Sequence, residues 1–276
     1  MAEETTPKPS YTLHVYYTRY SSWGARPQLV LEYFQIPHET KYYSLTLPSL
    51  KPPAELSILP VLDVTPSTAV GTAAGEEEET PLRIFDSLAI CEFLAEQHPE
   101  KHLWPADAHL RATARAAAAA MHSGFAALRN AYPSNFVARF TGPGIPFDEA
   151  IAKDVSKLLA LWSRLRAAAK KRLAVLGQED EGFLCGGFSI ADAFFWPVLW
   201  RFRSYDVPLT GAGEDALKWM ETMWNHPVMK ALGREYFRQE ASSQSHMAVY
   251  DNVFSEKPDV TRGKFTEDWV FESKAI

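Results

Sequence analysis

Ser21 and Ser22 stand between a β-patterned run, Tyr11-Thr12-Leu13-His14-Val15-Tyr16-Tyr17, and an apolar helical stretch. Hydroxyls at a strand-to-helix turn lie where the helix's unpaired N–H groups and positive dipole end would hold an anion. A thiolate is such an anion. A nearby hydroxyl donor favours the charged form of a thiol that is otherwise mostly protonated at neutral pH. Ser21 and Ser22 are therefore the catalytic candidates, and the alternative is that both only cap the helix. Tyr16, Tyr17 and Tyr20 offer phenols nearby, but earlier in the turn. Arg26 stands in the first turn of the helix against the dipole's preference, which calls for a specific partner, either a ligand or a structural carboxylate.

Periodicity places the elements that must hold these groups. Residues 12–17 alternate as a strand, and Leu29, Val30, Tyr33 and Phe34 form one helical stripe over residues 27–34, ending before Pro37. Residues 38–45 read as a second strand, parallel to the first across the helix. Residues 48–57, with three prolines, suit an irregular crossover. Residues 61–65 and 82–85 form a hairpin, and residues 87–97 a helix that stops at His98-Pro99. That order is thioredoxin-like. Residues 109–240 are helical in pattern. Residues 110–140 and 148–176 are expected as two long helices broken at Gly142-Pro143-Gly144 and packed as an antiparallel pair. Ser189 caps a further helix with Asp192 completing a capping box, and residues 214–224 and 227–237 supply two more.

Composition narrows the function classes. A chain of 276 residues with 46% hydrophobic residues can bury a core in each of two domains. The net charge of −6 leaves no basic stripe to displace counterions from phosphates, so a nucleic-acid binder is not expected. No apolar segment approaches a membrane span of about 18 residues, and no signal or transit pattern opens the chain. Cys91 and Cys185 fall in different predicted domains with nothing to make them pair, as suits a reducing, cytoplasmic setting. No metal-ligand spacing and no Gly-rich phosphate loop stands out.

Four further segments join the Ser-Ser turn in a recurring order: Leu59-Pro60-Val61-Leu62, Ile84-Phe85-Asp86-Ser87-Leu88-Ala89, Leu103-Trp104-Pro105-Ala106-Asp107, and Phe188-Ser189-Ile190-Ala191-Asp192-Ala193. Over residues 11–239 this order resembles a cytosolic glutathione transferase, and the Ser-Ser pair followed by Arg26 is similar to the zeta-type serine enzymes. The resemblance implies an N-terminal thioredoxin-like domain at residues 11–98, a linker at 99–108, and an all-helical domain at 109–240. It implies glutathione as co-substrate, no metal, a small electrophile as second substrate, and a homodimer. Ser21 takes the place of the catalytic serine. Ser22 and Trp23 take the next two positions, with Trp23 where the zeta motif has cysteine, a departure that counts against that class's isomerase chemistry.

The same resemblance assigns the rest of the site. Pro60 is expected in the cis form, with Leu59 offering its backbone to the cysteinyl part of glutathione. Ser87 is expected as an N-cap that holds the α-carboxylate of the glutamyl end, with Asp86 drawing its amino group. Glu55-Leu56-Ser57-Ile58 stands where the family has a Gly and a Lys or Gln, so no contact to the glycine carboxylate is assigned. The second substrate is expected between the domains. There His122, Phe125 and Arg129, spaced i, i+3, i+7, would share a helix face near Met121 and Asn135 and be joined by Trp23 and Arg26.

Three parts exceed that frame: a flexible start at residues 1–10, an acidic insertion at 66–81 carrying Glu76 to Glu79, and an extension at 241–276. Tyr250, Phe254, Phe265, Trp269 and Phe271 make the extension too aromatic for a disordered tail, so part of it is expected to pack on the body. Three functions stay open: glutathione conjugation, glutathione-dependent cis/trans isomerisation of an unsaturated acid, and a non-catalytic assembly module.

Overall fold

The computed structural model describes residues 9–66 and 81–272. Most of the expected N-terminal segment and of the acidic insertion lies outside the described residues. Strand β1 (Ser10–Tyr16) leads into helix α1 (Ser22–Tyr33) and strand β2 (Glu39–Tyr43), which runs parallel to β1. Two short 3-10 turns, at Pro48–Leu50 and Ala54–Leu56, make up the proline-rich crossover. Strands β3 (Val61–Thr65) and β4 (Leu82–Phe85) then pair antiparallel, and helix α2 (Ser87–Gln97) follows. The sheet order is β2-β1-β3-β4. This is the thioredoxin-like half of a glutathione transferase fold.

Helix α1 begins five residues before Pro27, where the stripe of residues 27–34 alone would start it. Ser21 is its N-cap, with Oγ accepting from the Gly24 N–H at 3.3 Å. Gly24 lets the helix lie against β1: a Cβ there would meet Val15 Cγ1 at 2.8 Å. Residues 24–31 are all buried, so this helix is the wall shared by the sheet and the second domain.

The second half is built of helices α3 (Ala108–Ser123), α4 (Ala126–Ala131), α5 (Glu149–Leu176), α6 (Ile190–Ser204), α7 (Glu214–Asn225) and α8 (Pro227–Ala241), with strand β5 (Ala138–Thr141) between α4 and α5. Helix α6 is apolar almost all round and is buried over nearly its whole length, as a central helix must be. Its own Trp196 and Trp200, with Trp162 of α5 and Trp219 of α7, form the centre of the core, each no more than 1% exposed. Asp192 ties its start: the two carboxylate oxygens accept from the Leu184 N–H, the Trp219 indole, the Ser189 N–H and the Ser189 hydroxyl at 2.9–3.1 Å.

The long helix expected over residues 110–140 is not continuous. It ends at Ser123, where Gly124 has no room for a Cβ (Ala120 O lies 2.6 Å from the position) and Phe125 turns to φ +57°. Nor is α5 chiefly its antiparallel partner: α3 packs mainly on α6, and α5 on α4 and α7. Past Pro133 the chain becomes β5, which pairs antiparallel with strand β6 (Thr261–Lys264) from the C-terminal extension. A two-stranded ribbon thus stands among the helices of this domain.

Within its described residues the extension, which includes helix α9 (Ala248–Asp251), meets the body at several aromatic side chains. Tyr250 stacks on Tyr20, Phe254 meets Phe140 and Tyr205 edge-on, and Trp269 meets Trp224 with centroids 4.9 Å apart. Arg203 is enclosed by Phe136 and Trp224 of the body and by Phe265 and Trp269 of the extension, its guanidinium 4.2–4.9 Å from each ring. Its Nη2 donates to the Phe136 carbonyl. Burial pushes its pKa down to about 9, and the four ring faces repay part of the lost hydration. Trp269→Ala should remove about 1–2 kcal/mol of this attachment. Limited proteolysis should then cut residues 255–272 several-fold faster while circular dichroism of the helices stays unchanged.

Candidate active site

The strand register brings the sequence-predicted residues of the N-terminal half to one end of the sheet. His14 near the end of β1 is opposite Val61 at the start of β3, and Val61 is opposite Phe85 at the end of β4. The loop carrying Ser21, the Leu59-Pro60 segment and the Asp86-Ser87 turn therefore emerge side by side. Leu59-Pro60 is a cis peptide. Leu59 belongs to a small buried cluster with Leu56 and Val61, against which Tyr16 and Tyr43 pack.

Ser21 and Ser22 are both half-buried. Ser21 Oγ accepts a hydrogen bond from Gly24, which leaves its own proton to donate. Of the three phenols, Tyr17 stacks on Tyr42 and Tyr20 gives its proton to Asp251 at 2.6 Å. Burial pushes the pKa of Tyr16, Tyr17 and Tyr20 up, so none ionises near neutrality. Cys91 and Cys185 are free and buried; burial pushes both thiols up, Cys185 to about 12, and neither is a nucleophile at neutral pH.

At the second helix the cap falls one residue earlier than expected. Asp86, at φ +76°, is the N-cap of α2: its Oδ1 accepts from the Leu88 and Ala89 N–H groups at 2.8 and 3.1 Å. Ser87 is the first helical residue, 1% exposed, and its Oγ has no hydrogen-bond partner in the protein. The exposed carboxylate of Asp86 also receives His122 Nε2 at 3.2 Å, from the end of α3, so the two domains meet at this turn.

Trp23 is the other bridge. Its indole stands between the Arg26 and Arg129 guanidiniums, at 4.2 and 4.7 Å, and meets the His122 ring edge-on at 5.2 Å. The expected helical face of His122, Phe125 and Arg129 is not what assembles them, because the helix breaks at Gly124; the fold brings His122 and Arg129 together around Trp23 and leaves Phe125 in the bend. Arg26 is not a free cation in an open cleft. It is 1% exposed and donates to the Phe194 and Ser22 carbonyls at 3.0 and 2.9 Å and to Met121 Sδ at 2.9 Å. Burial, and then repulsion from Arg201 and Arg129, pushes its pKa well down. Arg26 and Arg129, both against the Trp23 ring, bring positive charge to the front of α1, adding to the helix dipole, with the Asp86 carboxylate opposing them. Asn135 faces the extension, donating to the Tyr250 carbonyl and Asp251 at 3.4 Å.

The sequence reading missed Arg19 and Asp251. Arg19 is 1% exposed in the loop before Ser21, and Asp251 reaches it from more than two hundred residues away. No local pattern marks such a pair. Among the described residues no group of three or more His, Cys, Asp or Glu side chains could hold a metal ion, and no helix is long and apolar enough to cross a membrane.

Comparison with known proteins bears on the fold. The family model for the glutathione S-transferase C-terminal domain matches residues 148–224. Among solved structures, a glutathione transferase homolog from Burkholderia gl BGR1 with bound glutathione is similar at TM-score 0.53 and 21% identity, covering 85% of this chain and 99% of that one. Ure2p in complex with glutathione gives 0.55 and 18%, covering 83% and 95%. Maleylacetoacetate isomerase from Anaeromyxobacter dehalogenans 2CP-1 gives 0.51 and 22%, covering 82% and 91%. Curated proteins yield no match. At these identities the likeness is one of fold.

Proposed function

We propose that this chain is a glutathione transferase in which Ser21 stabilises the glutathione thiolate for attack on a small electrophile. The observation that carries the reading is the strand register His14–Val61–Phe85, which sets a capped helix start, a backbone segment and an acidic helix cap side by side at one end of the sheet. A tripeptide laid across that end would place its sulfur before Ser21, its cysteinyl backbone beside Leu59 and Pro60, and its glutamyl end at Asp86 and Ser87. The unpartnered Ser87 Oγ suits the glutamyl carboxylate, and Asp86 the amino group. The arginine-rich front of α1 favours the charged sulfur. Ser22 supports the turn, and Trp23, His122 and Arg129 line the approach of the second substrate. Arg26 and Phe125 shape that approach from behind it.

The reading includes a homodimer in the cytoplasm; Leu82 and Phe85, 56% and 44% exposed on edge strand β4, supply apolar surface for the partner. Isomerisation of an unsaturated acid is the second reading, favoured by the arginines around Trp23 and opposed by the absence of the motif's cysteine there. Turnover with an aryl halide and with a maleyl-type acid separates the two, because conjugation adds the mass of glutathione to the product and isomerisation does not. A chain that binds glutathione and turns over neither would be the assembly module.

Calorimetric titration with glutathione tests the binding assignment. Asp86→Asn, which keeps a cap oxygen and loses the charge, and Ser87→Ala should each weaken affinity by about 1–3 kcal/mol. Unchanged affinity in both variants would remove the glutamyl end from this turn.

A further inference from the structure

Residues 245–251 have no part in the chemistry proposed above, yet they close over the loop from which Ser21 emerges. Arg19 and Tyr20 of that loop are 1% and 3% exposed, and the extension supplies most of what their side chains bind. Arg19 Nε donates to Ser245 Oγ at 3.2 Å, its Nη2 is 3.3 Å from His246 Nδ1, and its Nη1 is 3.8 Å from Asp251 Oδ1. The Tyr20 hydroxyl donates to Asp251 Oδ1 at 2.6 Å while its ring stacks on Tyr250, centroids 5.2 Å apart. His246 Nδ1 donates to the other Asp251 oxygen at 3.0 Å. One carboxylate therefore collects Arg19, Tyr20, His246 and, at 3.4 Å, Asn135. Burial alone would push its pKa up, but Tyr20, His246 and Arg19 hold it below the ordinary value, so it is charged at neutral pH.

The loop passes any displacement directly to the serines. The Tyr20 and Ser21 N–H groups both donate to the Tyr17 carbonyl at 3.1 Å, and the Ser21 carbonyl accepts the first helical N–H, from Ala25, at 2.9 Å. Moving Tyr20 thus moves the residue that starts the helix.

We propose that Asp251 is a positioning residue for the activating serine: it fixes Arg19 and Tyr20 so that Ser21 faces the sulfur, and it binds the Tyr20 proton so that the phenol does not compete. The proposal rests on the reading of Ser21 as the activating hydroxyl. The rest of the extension is held independently by the β5–β6 pair and by the Arg203 ring cage, so a change at Asp251 tests the loop contact by itself. A cavity of about 320 Å³ borders Arg19, His246 and Asp251, with room for water to replace a lost carboxylate, and Asp251→Ala should fold.

Parent, Asp251→Ala and Asp251→Asn proteins are compared by two measurements. Amide hydrogen exchange over residues 17–24 needs no glutathione, and it should be about tenfold faster in the alanine variant. With glutathione and an aryl halide, the alanine variant should lose about tenfold in kcat with KM for glutathione within about twofold, and its bound thiol should titrate at higher pH. Asparagine, which keeps an acceptor for Tyr20, should recover most of the rate. Parent-like exchange in a folded Asp251→Ala protein overturns the proposal. Faster exchange with kcat and titration unmoved overturns it too, leaving Asp251 a fold contact. If Ser21→Ala leaves the titration of the parent unmoved, the Ser21 reading itself fails and takes this proposal with it; a normal Ser21→Ala response beside a silent Asp251→Ala removes the positioning role alone.

Discussion

Ser21→Ala is expected to move the thiolate absorbance of bound glutathione to higher pH and to slow conjugation near neutral pH by roughly ten- to a hundred-fold. The expectation follows from hydrogen-bond capacity. Ser21 Oγ uses a lone pair on the Gly24 N–H and keeps its proton for an acceptor outside the helix, whereas the neighbouring Tyr20 hydroxyl has spent its proton on Asp251. A hydroxyl donating to sulfur stabilises the thiolate more than the thiol, so its loss raises the thiol pKa and removes stabilisation in the step that matters. Affinity for glutathione should change little, because the remaining contacts assigned to the tripeptide are at Leu59, Pro60, Asp86 and Ser87. The substitution also removes a cap worth about 1 kcal/mol, which shows as a lower Tm. Ser21→Thr restores both hydroxyl and cap and should recover the titration. Ser22→Ala should be milder. If Ser22→Ala shifts the titration while Ser21→Ala does not, the activating hydroxyl is Ser22.

What the sequence makes legible is local. The alternation before Tyr17, the parallel second strand, the β3–β4 hairpin, α2, α5 and the Ser189–Asp192 cap all follow from periodicity and capping chemistry within a few residues. The Ser-Ser turn and the Asp86-Ser87 turn stood out for the same reason: capping residues before apolar runs are visible in one dimension. The one-residue shift of the second cap is not visible in sequence, because Asp and Ser cap equally well and only the Leu88 and Ala89 N–H bonds to Asp86 Oδ1 decide between them. The α3–α4 break was obscured by an Ala-rich run that favours helix on both sides of Gly124. Strand β5 pairs with β6, more than a hundred residues later, and the β-favouring Phe140 and Thr141 are too short a run to announce it. The same distance hid the Asp251 contact to Tyr20 and Arg19. What was illegible was therefore the long-range pairing made by the extension, which is also what most distinguishes this loop from a bare strand-to-helix turn.

The largest effect on stability is expected far from the sulfur, at Asp192. Its carboxylate is fully buried and accepts from four donors, two on each oxygen. Asp192→Ala leaves all four without an acceptor in a region too packed for water, at about 1–3 kcal/mol for each orphan, partly offset because a buried charge disappears as well. A net loss of about 3–5 kcal/mol follows, a large share of the 5–15 kcal/mol typical of a domain. Asp192→Asn keeps the oxygen that serves Leu184 and Trp219 but turns an NH2 toward the Ser189 N–H, so its loss should be intermediate. The pH dependence separates charge from hydrogen bonding. Burial, working against those donors, pushes the Asp192 pKa up to about 6, above the ordinary 3.8 of an unfolded Asp. With the folded pKa raised, the stability contributed by protonated Asp192 is fully present below about 4 and is lost as pH rises through about 6. Urea denaturation of parent and Asp192→Asn at pH values across that window should show the difference in stability between them shrinking as pH rises, since only the parent loses its proton. A difference that stays constant from pH 4 to 7 would mean that Asp192 is already ionised throughout, and that its four donors outweigh its burial.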